Sequence, residues 1–347
     1  MIENQLQTPN PESATAEEEM ASQPQPITIA QLAKAIAESI MLQATFNQSV
    51  KAGMQDLANG IIQTREMLEK LSRDLNRRIE GLGAATSACG RFAVPVGNDL
   101  LLTRVLNSFL MYVEASDMSV TPQLVAAGFW EKAITQAFIS RLRPGMTVID
   151  VGANYGYYSL AAACQVGDKG RVYSFEPNPR TFEVLKRNIE VNWLGQIIQA
   201  HQFAVLDSRK QVELHVLRRF QGSSSLFPPE LIPEPDPPAE QWRSVEAVPL
   251  DEIVQEKVDL IKIDAEGSEP LVLEGMRGIL DRSPDLTIFM EINVPMIQKT
   301  TDPRTFLKKI RGLGATMHYF TPWNTLEPYD EEKALRFNLF NLLLERK

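Results

Sequence analysis

Asp150, Glu176 and the trio Asp264, Glu266 and Glu269 each stand at the end of an apolar run. Carboxylates so placed can meet a cation, accept hydrogen bonds from ribose hydroxyls, or take a proton from a nucleophile. The first lies in Thr147-Val-Ile-Asp-Val-Gly-Ala-Asn-Tyr-Gly-Tyr-Tyr-Ser159, where β-branched residues lead into glycines at 152 and 156 that frame Asn154. The run suits a buried parallel strand, and a glycine after it lets backbone N–H groups approach a ligand with no Cβ between. A ligand site is therefore expected at this strand end.

A glycine-rich turn alone also serves dinucleotide dehydrogenases, phosphate binders and plain tight turns. The dehydrogenase fingerprint has no need of an acid at position 150, and Ser159 stands where it would want its third glycine. Some 20 residues on, Arg171-Val-Tyr-Ser-Phe-Glu176 reads as a second strand ending in an acid, and Pro177-Asn-Pro179 stops it and opens a helix. A cationic group near Asp150 and a ribose near Glu176 together describe S-adenosylmethionine; NAD fits only the second. The plainer reading makes Asp150 a helix cap and Glu176 a solvated turn residue.

Four blocks, Asp150-Val-Gly-Ala-Asn154-Tyr-Gly156, Phe175-Glu-Pro-Asn-Pro179, Ala204-Val-Leu-Asp207 and Val258-Asp-Leu-Ile-Lys-Ile-Asp-Ala-Glu-Gly-Ser-Glu269, resemble the successive motifs of the FkbM-type methyltransferases. The resemblance covers roughly residues 125–345, and its last block is the most specific. It implies an α/β fold, a doubly wound Rossmann-like class I methyltransferase sheet, with S-adenosyl-L-methionine as donor and a hydroxyl of a sugar or secondary metabolite as acceptor. Carried over residue by residue, it places the methionine end of the donor near Asp150, Gly152 and Asn154, with Ala153 and Gly156 in the same turn. The ribose falls at Glu176 beside Pro177, and the adenine at Ala204 and Val205.

The run 258–263 reads as a strand that delivers Asp264, Glu266 and Glu269 to one rim, and 286–291 reads as another that brings Glu291 there. Methyl transfer needs the acceptor oxygen in line with the methyl carbon, and a carboxylate that removes the hydroxyl proton adds roughly 10² to 10⁴ in rate. Asp264 or Glu266 is the first choice of base, with Glu291 in the same catalytic group. The alternative is a divalent cation held by Asp264 and Glu291, which is not favoured. Lys262 is placed to pair with one of these acids or with an acidic substrate, and His201, His215 and His318 lack metal-ligand spacing. Glu131 reads as an ordinary surface glutamate, with the donor edge as its alternative.

Positioning these groups needs a scaffold. Residues 100–111 and 122–142 have helical spacing, 180–193 suits a crossover helix, and 199–205 suits a third strand. Residues 211–217 alternate like one arm of a hairpin, and 316–320 with 338–344 would close the sheet as late strands. Six prolines between 228 and 238 make 222–243 a semi-rigid segment. It is expected to be a lid over the acceptor, with Ser223, Ser224 or Trp242 as sugar contacts, or else a docking loop.

Residues 1–26 are acidic and polar, holding five of the negative charges behind the net −9 and no Lys or Arg in the first twenty, and are expected to be disordered. Thr28 then caps a helix over 27–82 whose seven-residue repeat places apolar side chains at twelve of sixteen core positions, with Asn47 as a polar insert. That is a long N-terminal coiled-coil helix, and it predicts a homo-oligomer through residues 29–82; packing in cis and membrane-surface docking are the alternatives, and Gly53 and Gly60 are weak points. A linker follows at 83–99, and the catalytic domain at 100–347. The acidic balance argues against nucleic acid, two distant cysteines (Cys89, Cys164) argue against a disulfide framework, and no apolar run reaches transmembrane length. The expectation is a reduced, cytoplasmic enzyme acting on a small-molecule or glycan acceptor. A nicotinamide-dependent oxidoreductase, or a coiled-coil scaffold carrying a pseudoenzyme, are the other readings.

Overall fold

The computed structural model describes residues 92–217, 219–227, 240–323 and 325–346, with Lys34, Ala37, Glu38, Met41, Thr64, Arg65 and Met67 nearer the N-terminus. The chain divides into two units, Met1–Leu82 and Gly83–Lys347. Those seven positions are helical and exposed; apart from Thr64, the proposed heptad core lies outside the described residues, as do the acidic tail and Cys89.

The second unit opens with a meander of β1 (Ala93–Gly97), β2 (Leu100–Val105) and β3 (Phe109–Glu114). The helix expected over 100–111 is therefore a hairpin, and β1 occupies part of the expected linker. Asn98 and Asp99 (φ 52° and 63°) and Leu106 and Asn107 (φ 52° and 56°) make two-residue turns of left-handed backbone. Such turns match the twist of paired strands, yet neither contains the glycine that usually announces one. The apolar residues of this segment satisfy a helical period and a strand alternation alike, so the turns decide. The other helical stretch is two helices, Thr121–Ala127 and Lys132–Arg141, parted at Gly128 (φ 73°).

The central sheet contains β4 (Thr147–Val151), β5 (Arg171–Phe175), β6 (Ile198–His201), β10 (Leu260–Ile263), β11 (Thr287–Asn293), β12 (Thr316–Phe320), β13 (Leu326–Pro328) and β14 (Leu339–Glu345). A smaller sheet holds β7 (Ala204–Val205), β8 (Lys210–Leu217) and β9 (Glu240–Val248). The main order is β13-β12-β14-β11-β10-β4-β5-β6, parallel from β11 to β6, with β14 antiparallel to β11 and β12. The expected third strand thus breaks at Gln202–Phe203: β6 stays in the main sheet, while β7 pairs with β9. The expected hairpin is β8 against β9, antiparallel from Lys210↔Ala247 to Leu217↔Glu240.

Each central strand sends alternate residues to opposite faces. Val148, Val172, Leu260 and Phe289 pack with the helices Lys132–Arg141, Tyr157–Val166 and Pro179–Val191. Ile149, Tyr173, Ile261 and Ile288 pack with Glu269–Glu274, Arg277–Arg282 and Pro303–Arg311. After β4 the chain builds outward to β5 and β6, then returns to place β10 on the other side of β4. That reversal, with helices on both faces, is the doubly wound arrangement, and it opens a crevice beyond the carboxyl ends of β4 and β10. Among the described residues, no helix is long and apolar enough to cross a membrane.

Candidate active site

A cavity of about 310 Å³ fills that crevice. At one end β4 runs into Gly152 (φ 77°), where a Cβ would lie 1.9 Å from the Asp264 carbonyl oxygen, so only glycine lets the two strand ends touch. The Gly152 and Ala153 N–H groups donate to the Phe175 carbonyl at 3.0 and 2.9 Å, which ties this turn to the end of β5. Glu176 follows, 6 % exposed, its two oxygens each accepting one backbone N–H at 2.9 Å, from Asn154 and from Asn178. Those bonds fix the carboxylate and leave each oxygen further acceptor capacity for hydroxyl donors. Burial pushes Glu176 up to about 7, against the lowering pull of the two N–H donors.

At the other end stand Asp264, Glu266 and Glu291, with one carboxylate oxygen from each within 4.8 Å of the others. Lys262 joins them from within β10: 3 % exposed, its Nζ lies 2.9 Å from Asp264 Oδ2 and 4.7 Å from the Tyr158 ring centroid. Burial opposes the lysine's charge, but Asp264, Glu131 and Asp150 together outweigh it and hold the ammonium above the ordinary lysine range. Glu266 is pushed well above the carboxylate range by burial and then by Asp264 and Glu269. Glu291 is raised likewise by burial, Asp264 and Glu266. Carboxyls so crowded retain a proton at pH values where an exposed glutamate has lost it. The three acids could hold a cation through oxygen ligands, but the Lys262 ammonium already supplies a positive charge there.

Glu266 sits in left-handed backbone (φ 47°) before Gly267 (φ 97°), and its carbonyl accepts the Ser225 hydroxyl at 2.8 Å. Glu269 does not face the cavity. It is 1 % exposed and accepts the Ala265 N–H at 2.9 Å and the Gly267 N–H at 3.1 Å, folding the turn that presents Glu266.

Of the donor residues proposed from sequence, Gly152, Ala153, Asn154, Glu176, Pro177, Ala204 and Val205 line the cavity. Asp150 and Gly156 stand behind its wall. Asp150 is 2 % exposed and accepts the Ser159 hydroxyl at 2.6 Å, while Gly156 (φ 92°) caps the next helix where a Cβ would press on Leu185. Glu131, read as a surface residue, lines the cavity and accepts the Tyr158 hydroxyl at 2.9 Å. The cavity position matches the alternative drawn from sequence, and the strained backbone that sets it there (φ 39°) leaves no mark in a sequence. Ser223 and Ser224 reach the wall, as do Ser225 and Leu226, whereas Trp242 packs on His215 at 4.8 Å between ring centroids. Residues 228–239 of the supposed lid lie outside the described residues.

Among curated proteins, Methyltransferase sdnD of Sordaria araneosa is 27% identical over 164 residues, 40% of this chain and 63% of that protein. Methyltransferase 1 of Beauveria bassiana is 26% identical over 145 residues, 37% of this chain and 57% of that protein. The chain thus spans less than two thirds of either relative. The solved structure of precorrin-6y C5,15-methyltransferase from Geobacter metallireducens is 14% identical, covers 62% of this chain and 87% of that one, and superposes with a TM-score of 0.34. The fold is assigned from the strand order and not from that likeness. The family whose model matches is the methyltransferase FkbM domain, over residues 150–316, which includes the glycine turn, Glu176 and all three cavity acids of the far end. Residues 150–316 of this chain match the FkbM methyltransferase domain.

Proposed function

We propose that this protein transfers the methyl group of S-adenosylmethionine to a hydroxyl oxygen of a small-molecule or glycan acceptor, a sugar or a secondary metabolite, with Glu266 as the base. The observation that carries the reading is one cavity with two chemically distinct ends: a turn without a Cβ beside a fixed carboxylate, and a cluster of three carboxylates opposite. The residues fit the donor. Glu176 has acceptor capacity for ribose hydroxyls, Gly152 leaves backbone space, and Ala204 and Val205 offer an apolar wall to a base. When bound, the donor supplies a methyl group on a positive sulfonium.

The acids divide the remaining work. Asp264 is paired with Lys262, whereas no hydrogen bond to another described residue engages the Glu266 or Glu291 carboxylate. A carboxyl raised by burial and repulsion is the stronger base once it has lost its proton, so Glu266 accepts the hydroxyl proton and Glu291 shares the charge. Closing the cavity is assigned to the segment 222–243, of which Gly222, Ser223, Ser224, Ser225 and Leu226 wall it. Residues 29–82 are assigned to self-association, from their heptad pattern.

Isothermal calorimetry tests the donor site: S-adenosylhomocysteine and S-adenosylmethionine should bind and NAD should not. Absence of uptake of both nucleosides by folded protein overturns the reading. Labelled donor then identifies the acceptor in small-molecule and polysaccharide extracts, and transfer to nitrogen or carbon would overturn the hydroxyl assignment. Turnover that persists in EDTA supports Lys262 over a metal as the site's cation.

A further inference from the structure

We propose that Lys262 is a catalytic residue whose ammonium contacts the acceptor oxygen and holds the negative charge that builds on it. The inference rests on the methyl-transfer reading and adds a role for a side chain which that reading leaves as a counter-ion.

An ammonium has three N–H donors. Asp264 Oδ2 takes one at 2.9 Å, and the Tyr158 ring covers another side at 4.7 Å from its centroid. Tyr158 is itself fixed, its hydroxyl donating to Glu131 at 2.9 Å. Donor capacity is left on the cavity that Lys262 lines. Parallel register sets Lys262 opposite Asp150, two residues before Gly152, and its ammonium meets Asp264, which clusters with Glu266 and Glu291. A fixed cation at that junction favours an oxygen that is losing its proton. The step balances: the O–H proton passes to Glu266, the O–CH₃ bond forms, the S–CH₃ bond breaks and its electron pair stays on sulfur. A lysine serving only to neutralise Asp150 would have its ammonium turned from the methyl position.

Sinefungin distinguishes the two, because it carries a primary amine where the donor carries its sulfonium methyl, while S-adenosylhomocysteine carries neither. Both affinities are measured by calorimetry on the full chain. In Lys262→Met the sinefungin-to-S-adenosylhomocysteine affinity ratio should rise about tenfold or more, since a like charge a few ångströms away is removed. Lys262→Gln, which keeps a hydrogen-bond donor for Asp264, should raise it likewise, and Lys262→Arg should leave it near the wild-type value. An unchanged ratio in a Met or Gln variant that still binds S-adenosylhomocysteine overturns the role of Lys262. Failure of the wild type to bind S-adenosylhomocysteine overturns the methyl-transfer reading itself.

Discussion

Glu266 is a half-buried carboxyl and Glu176 a buried one, and their surroundings give them different work. No hydrogen bond from another described residue stabilises the charge of the Glu266 carboxylate, so Glu266→Gln should lower turnover by roughly 10² to 10⁴ while S-adenosylhomocysteine still binds. Because its carboxyl is raised, the rate should fall on the acid side at a pH above the usual glutamate range, read from a pH–rate profile. Glu176 and Glu269 are each raised from 4.5 to about 7 by burial. Their contribution to stability is complete below about pH 4.5 and is lost as pH rises through about 7, because the folded protein keeps protons that the unfolded chain releases. Thermal midpoints should therefore carry a downward slope between those values, and Glu176→Gln should flatten it. Ribose hydroxyls donating to Glu176 favour its charged form, so nucleoside binding near neutral pH should release protons, seen as a dependence of binding enthalpy on the buffer.

Between elements, the contacts that matter are made by small groups. Asn188, from the helix Pro179–Val191, takes the Tyr112 N–H on Oδ1 at 2.6 Å, and its Nδ2 donates to the Tyr112 and Tyr155 carbonyls at 2.9 and 2.8 Å. Asn192, one turn later, pairs with Leu110 in the same way. The two amides satisfy the free edge of β3 and tie the meander to the donor turn. Asn188→Ala leaves buried backbone groups unpaired and should cost about 2–4 kcal/mol in urea denaturation, with weaker nucleoside binding through the loosened Tyr155. Gly152→Ala forces a Cβ against the Asp264 carbonyl at 1.9 Å, so it should abolish nucleoside binding even where the protein still folds. The glycine was recognisable in sequence as a close-approach position, but what it approaches comes from β10, more than a hundred residues away.

For the whole molecule, the two units predict separable behaviour. The full chain should be oligomeric by light scattering, whereas a chain of residues 83–347 should be monomeric and should bind S-adenosylhomocysteine with unchanged affinity. A monomeric full chain would remove self-association from residues 29–82. Such a result would leave the methyl-transfer reading intact, because every residue in it belongs to the second unit.

Sequence by itself determined the strand ends and what they carry. β-Branched runs closed by acids and glycines identified β4, β5 and β10, the Gly152 turn, Glu176 and the Asp264 group, because strand propensity, turn chemistry and motif spacing are local. The tertiary structure decided the rest. It made a hairpin of an apparent helix through the left-handed Leu106 and Asn107, split the third strand between two sheets, put Asp150 behind the cavity wall and Glu131 on it. Each of these depends on which strand lies beside which. That is set by burial of both sheet faces at once, a condition met by the whole chain and by no stretch of it alone.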